Sequence, residues 1–572
     1  MFGRSKEGRD RMQADQADAA GPDAAQGFPR GVGNPYVPGA SAAWLTSEEI
    51  ATLAADRTAP SFVRWEPGQG SLLIGRDVAG GYYGVQDDRH VCTVAGSRAG
   101  KGVSLIVPNL LFWPGSVLAI DPKGELATLT ASRRSATGSE WSAPLSPGEG
   151  KVYALDPFRR VTGEAKTFAE ASFNPLADLD PATDEGLDLA WQIADALIIQ
   201  SGGDGGHWTQ NARTFLRGLL LYVAHTAPPD SKNLITVRRM LTADRDSFKA
   251  TLAHMQTFKK PDDVGAGLDL IGRTADAMMN KPPTERFNIV STCETHTAFL
   301  EGEAMRRVLV GSSFKMADLK KDLVTVYLCL PATRLATHGR WLRMMVALAL
   351  DAMEQTGPMP KGKPPVLFCL DEFAALGHME SIEKAAGQIA GFGAKLWPVV
   401  QDLTQLQRDY DKAWETFMGN AGVLTFFGNT DLTTADHIAR RLGETEVIHT
   451  VTNAQEGWQE TKGGSQPDML GFVGGQLGGT LQQGMQRGGS QTKNQTVARA
   501  PLMSPNEIMQ HFARDSGKLL AFVSSSKVPP LALKRSMYFD PAEDALYGGL
   551  FDPVPGQEKP RTKASQRKER NG

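Results

Sequence analysis

Seven short apolar runs punctuate the chain, at 91–94, 116–120, 152–155, 324–330, 366–370, 395–400 and 423–427. They are continuous rather than alternating, the pattern of strands covered on both faces, as in a parallel sheet. From 176 to 290 this β character disappears. Segments such as LDLAWQIADALII, HWTQNARTFLRGLLLYVAH and LDLIGRTADAMM instead repeat apolar residues at helical spacing. The pattern predicts an α/β fold with a mainly parallel sheet and an inserted all-α domain. The expected bounds are a disordered tail at 1–45, the α/β domain at 46–175 and 291–551, the all-α domain at 176–290, and a disordered basic tail at 552–572. Residues 452–498 are rich in Gly and Gln and lack any period, so a flexible loop is expected there.

The polar residues that interrupt the first two runs carry the chemistry. In VCTVAGSRAGKGVSLIVPNLLFWPGSVLAID, residues 91–121, a strand-like run meets a Gly-rich turn, a Lys, a helical stretch and a second run. That order is strand, phosphate loop, helix, strand. Such a loop binds an anion because consecutive backbone N–H groups and the start of the helix point partial positive charge at it. The candidate binding residues are Gly96, Ser97, Arg98, Ala99, Gly100, Lys101, Gly102 and Val103. The match to G-x-x-x-x-G-K-[ST] is incomplete: Ala95 replaces the first Gly, and Gly102 stands where a Ser or Thr ligates magnesium. Ser104 lies beyond that position.

In an open parallel sheet, ligands sit beyond the carboxyl ends of the strands, so the residue after each run belongs to one set. That set is polar: Lys101, Asp121 and Lys123, Asp156, Asp371 and Glu372, Gln401, and Asn429. The run VLFCLDEF resembles a Walker B element, in which Asp371 holds Mg2+ through water and Glu372 accepts the proton of the water attacking a γ-phosphate. Gln401 is the candidate to orient that water or sense the γ-phosphate.

Composition adds limits. With 572 residues and a formal net charge of −3, the chain has room for two or three domains and no global pull toward nucleic acid, so DNA contact would come from local patches or a pore lining. The four cysteines have no metal-ligand spacing and read as buried thiols of a reducing compartment. No stretch before 91 resembles a membrane span, and the longest apolar candidate, 104–120, is broken by Pro108, Asn109 and Pro114.

From about 75 to 550 the chain resembles the TraG-type coupling proteins of type IV secretion and conjugation, FtsK-like P-loop ATPases of RecA-like fold that pump DNA. The blocks that carry the resemblance include AGSRAGKGVSLIVPNLLFWPGSVLAIDPKGE, VYALDPF, HWTQNARTFLRGLLLY, LFCLDEFAALG, GFGAKLWPVVQDLTQL and NAGVLTFFGNTDLTTADHIARRLGE. The resemblance implies ATP and Mg2+ at subunit interfaces of a homohexamer that is a monomer in isolation, with DNA in its central channel. It also implies relaxase and accessory partners on the all-α domain and a type IV secretion channel beyond. The family's usual N-terminal membrane helices have no counterpart before the phosphate loop, so the expected location is cytoplasmic, reaching the inner membrane through a separate anchor protein. GQIAGFGAKL, ahead of Gln401, lacks the interface Arg of some members. Arg440 and Arg441 are the alternatives, with a solvated helix face as the plain one. Three functions compete: an ATP-driven DNA translocase, a nucleotide-binding recruitment module with little hydrolysis, and a soluble P-loop enzyme acting on a small molecule.

Overall fold

The computed structural model describes residues 44–56, 58, 61–135, 150–199, 206–258, 266–458 and 487–552. The expected tails lie almost wholly outside these residues, as does 459–486 of the expected loop. The chain divides into two compact units, one containing 45–438 and 505–552 and the other 439–504.

The larger unit is built on a twelve-stranded sheet. Seven strands are parallel: β4 (His90–Ala95), β5 (Val117–Ile120), β6 (Lys151–Leu155), β7 (Val324–Leu328), β8 (Val366–Leu370), β9 (Ala394–Val400) and β10 (Ala421–Phe427). Each coincides with one of the seven apolar runs. Their order across the sheet is β10-β4-β9-β8-β5-β7-β6. Every residue of β5, β8, β9 and β10 is buried, as expected of strands covered on both faces.

Beyond β10 the sheet turns antiparallel through strands the hydrophobic pattern did not predict. These are β1 (Phe62–Arg64), β2 (Leu72–Arg76) and β3 (Tyr82–Val85) from the N-terminal side, and β13 (Lys518–Val523) and β14 (Leu531–Lys534) from the C-terminal side. They are three to six residues long; β2 with β3 and β13 with β14 pair locally, and the two pairs meet through β14 and β2, more than four hundred residues apart.

Between β6 and β7 all regular elements are helical, from Asp184–Leu197 through Asp318–Lys321, apart from short turns. Local capping fixes their starts: Thr183 accepts from Gly186 N–H, Asn233 from Ile235 and Thr236, and Asp244 from Asp246 and Ser247. The expected boundary at 290 therefore falls short, because it cuts the helix Pro283–Thr297 and helices continue to Lys321. The polar sequence STCETHT hides the face, Ile289, Cys293 and His296, that this helix buries. The helical region and the sheet belong to the same compact unit.

The smaller unit corrects a second expectation. Part of 452–498 is not loop: β11 (Glu444–Trp458) and β12 (Arg487–Pro501) pair antiparallel over fifteen residues each, from Glu444 opposite Pro501 to Trp458 opposite Arg487. A two-stranded ribbon of Thr, Asn, Gln and Gly can pair through its backbone without a hydrophobic period, which removes the signal a sequence reading depends on. Among the described residues, no helix is long and apolar enough to cross a membrane. All four cysteines are buried free thiols.

Candidate functional site

The candidate site lies along the carboxyl ends of β4, β9, β8 and β10. Strand β4 delivers the candidate phosphate loop, residues 96–103. Its Gly residues are set by close approach: a Cβ at Gly96 would stand 1.9 Å from the Gly428 carbonyl oxygen, and one at Gly428 would stand 2.5 Å from the Ala99 Cβ. Arg98, exposed at the tip, takes a left-handed backbone with φ 55°. Lys101 then opens the helix, which runs as a π-helical turn, Gly102–Ile106, before Val107–Phe112 continues as α. Asn109, one of the polar breaks in the apolar run, is buried and acts as a surrogate strand. Its Oδ1 accepts from Leu73 N–H at 2.8 Å and its Nδ2 donates to Leu73 O at 2.9 Å, fastening β2 to the helix.

The Lys101 side chain joins the loop to β8. Its Nζ lies 2.9 Å from Asp371 Oδ1 and 3.0 Å from Glu372 Oε1. Burial alone would lower the Lys101 pKa, but the two carboxylates outweigh it and raise the ammonium above its ordinary value. Burial raises the Asp371 pKa despite Lys101. Glu372 has a left-handed backbone, φ 57° and ψ 44°, that turns the chain sharply after the strand. A non-Gly residue in this conformation costs about 1–3 kcal/mol and is held by its surroundings. Gln401, the first residue after β9, donates from Nε2 to Glu372 Oε2 at 3.2 Å, and Asn429 after β10 donates from Nδ2 to Gln401 O at 3.2 Å. Thus Lys101, Asp371, Glu372, Gln401 and Asn429 form one connected polar set.

Asp121, at the end of β5, lies beside it. The carboxylate accepts from Ala127 N–H at 2.9 Å, and burial, with a contribution from the Asp371 charge, pushes its pKa up to about 7. Two expected members fall outside. Asp156 ends the edge strand β6, three places from β8, and accepts from Val161 N–H at 2.7 Å beside a cavity of its own that Arg159, Lys166 and Arg307 line. Lys123 is exposed, 3.7 Å from Glu125. Adjacent strands bring their ends together and remote strands do not, which a set drawn from strand ends alone cannot express.

For a divalent cation, the donor set is one partly buried carboxylate, Asp371, with a second from Glu372 alongside. That fits Mg2+, which is commonly held by one or two carboxylates, phosphate oxygens and water. Ser104 cannot supply the missing hydroxyl: it is 1% exposed, and its Oγ donates to Gly100 O at 2.8 Å. Arg440 and Arg441 are exposed residues at the C-terminal end of the helix Leu432–Leu442.

The sequence reading missed Arg535. This residue follows β14, is 5% exposed, and bonds through Nη1 to Ala99 O inside the phosphate loop and through Nη2 to Arg514 O at 2.6 Å. A lone Arg after LALK gives no local signal of that contact.

A profile described as type IV secretory system conjugative DNA transfer matches residues 43–570. The conjugal transfer protein TraG of Escherichia coli is 29% identical over 374 residues, which cover 63% of this chain and 55% of that one. Protein VirD4 of Rhizobium radiobacter is 26% identical over 381 residues, covering 64% and 49%. The chain therefore spans about half the length of these two relatives. Among solved structures, the unbound monoclinic form of the bacterial conjugative coupling protein TrwBdeltaN70 superposes with a TM-score of 0.58 at 13% identity, covering 89% of this chain and 95% of that one. TrwB in complex with ADP and Mg2+ gives 0.57 at 12% identity over 89% and 96%. At such identities the likeness concerns the fold, which is the RecA-like P-loop NTPase fold with its mainly parallel sheet and helical insertion. The profile match spans nearly the whole chain, and the chain belongs to the type IV secretory system conjugative DNA transfer family.

Proposed function

We propose that the chain is an ATP-driven translocase of DNA or nucleoprotein that couples a relaxosome-like substrate to a type IV secretion channel. The observation that carries this reading is the contact of Lys101, in the loop after β4, with both Asp371 and Glu372 at the end of β8, two places along the sheet. Residues 96–103 cradle the phosphates with backbone N–H groups, and Lys101 adds the charge that pairs with the β/γ-phosphates. Asp371 would hold Mg2+ through water, and the ion would neutralise charge on the phosphates. Glu372 takes the proton of the attacking water, and Gln401 holds the Glu372 carboxylate from the side opposite Lys101.

The net charge of −3 favours a DNA grip by loops lining a homohexameric ring over a basic domain. Relaxase and accessory proteins meet the helical region between β6 and β7. A second reading, a nucleotide-binding recruitment module with little hydrolysis, is favoured by one observation: no hydroxyl follows Lys101, because that residue is Gly102. ATP hydrolysis with and without single- and double-stranded DNA separates the two. The translocase reading expects DNA-stimulated turnover that Glu372→Gln abolishes. A wild-type rate no higher than that of Glu372→Gln would leave the recruitment module.

A further inference from the structure

The phosphate loop is held from behind by the C-terminal part of the chain. Gly428 N–H donates to Phe512 O at 2.6 Å, Tyr538 N–H donates to Val103 O at 3.3 Å, and between them Arg535 bridges Ala99 O to Arg514 O. The Arg535 guanidinium also lies over the Phe427 ring, 5.0 Å from its centroid, and its own N–H donates to Gly517 O at 2.7 Å. Segments 512–517 and 535–538, which flank the β13–β14 hairpin, thus form a strap from which Arg535 reaches into the loop. Burial lowers the Arg535 pKa.

We infer that Arg535 is a positioning residue that sets the phosphate loop for nucleotide. This rests on the ATP-binding reading above. The peptide between Ala99 and Gly100 is planar and trans, so its C=O and N–H point in opposite directions. Holding the Ala99 oxygen on the Arg535 side therefore aims the Gly100 N–H away from Arg535. Ala99 N–H is already committed to Gly96 O at 3.1 Å, so the peptide that Arg535 orients is the one whose N–H stays available next to Lys101. The backbone agrees: Gly100 has φ +92°, and a Cβ there would stand 3.2 Å from Arg535 Nη1. Gly is needed both for the turn and for the approach of the guanidinium. Only a forked, planar cation can bridge two carbonyls while stacked on a ring, so Lys is a partial substitute.

The test is equilibrium binding of a fluorescent ATP analogue with Mg2+ to the full chain, comparing wild type, Lys101→Ala, Arg535→Met and Arg535→Lys. Met keeps the stem over Phe427 and loses the donors. The expected order is wild type tightest, Arg535→Lys about threefold weaker and Arg535→Met at least tenfold weaker, in line with the loss of charge-assisted hydrogen bonds. Thermal melting identifies the variants that are folded at the assay temperature. Hydrogen exchange of the wild type supplies an independent measurement: adding the nucleotide should slow exchange in peptides from 512–517 and 531–538 as well as in the loop. Wild-type affinity in Arg535→Met, or slowing confined to the loop, overturns the inference while leaving the ATP reading intact. A wild type that binds the analogue no better than Lys101→Ala overturns both.

Discussion

Replacing Gly102 by Ser places a hydroxyl one residue after Lys101, where the phosphate-loop motif carries its magnesium ligand. The structure admits it. A Cβ built at Gly102 meets no heavy atom within 4 Å, and the residue sits in the helical turn Gly102–Ile106. Relative to Gly, Ser in a helix gains about 0.5 kcal/mol, so folding should improve slightly. A hydroxyl that bonds a charged centre contributes about 1.5 kcal/mol, close to tenfold in affinity. The expected result is an apparent Mg2+ half-saturation about tenfold lower, measured by titrating Mg2+ against a fixed concentration of fluorescent ATP analogue. Gly102→Ala separates the two effects: it brings the larger helical gain, about 1 kcal/mol, and no oxygen, so its Mg2+ curve should overlie the wild type. A Gly102→Ser curve that coincides with that of Gly102→Ala, in folded protein, would refute the assignment of this position to the metal.

Glu372→Gln should lower the hydrolysis rate by about 10²–10⁴-fold while keeping nucleotide binding, because it removes the base and only one of the two carboxylates that hold Lys101; Lys101→Ala should lose binding itself, and titrations of both variants decide. Asp121→Asn tests the buried carboxyl whose pKa is pushed up to about 7. The folded state then holds a proton that the unfolded state gives up above about pH 4, so stability falls as pH rises from about 4 to 7, by at most about 4 kcal/mol. Denaturant midpoints at pH 5 and 8 should differ less in the Asn variant than in the wild type, and an equal difference would refute this. Gly96→Ala forces its Cβ to within 1.9 Å of Gly428 O, so a loss of about 1–3 kcal/mol is expected in denaturant unfolding, with weaker nucleotide binding.

What the sequence disclosed, and what it hid, follows from the range of each interaction. The seven parallel strands were legible because burial on both faces makes each an uninterrupted apolar run whatever its neighbours are, as in VLFCL of β8. Asp371, Glu372 and Gln401 were legible because they follow such runs directly, and Lys101 because it closes the Gly-rich turn after one. Sheet order was not, and it decides membership: Asp156 has the same local sequence signature as Asp371 but ends the edge strand β6. The antiparallel half was hidden because β2, LLIGR, and β3, YYGV, are short and owe their stability to pairing with each other and with β14. Arg535 was hidden for the same reason, since its partner Ala99 is more than four hundred residues away.

The charge balance of the site bears on magnesium more than on any single ligand. Lys101 faces two carboxylates at about equal distance, 2.9 and 3.0 Å, and Asp121 adds a third acid, its pKa pushed up to about 7 by burial. The helix start after the loop offers only about half a positive charge against this excess. A nucleotide that recruits Lys101 must compete with both Asp371 and Glu372, and its phosphates bring further negative charge to an edge that is already acidic. With a divalent cation held at Asp371, the site would gain positive charge, Lys101 would be free to pair with the phosphates, and Gln401 would still hold the Glu372 carboxylate. The loop should therefore discriminate strongly between the magnesium complex and the free nucleotide. The added hydroxyl of Gly102→Ser should matter most where Mg2+ is scarce, and its advantage should vanish as Mg2+ saturates.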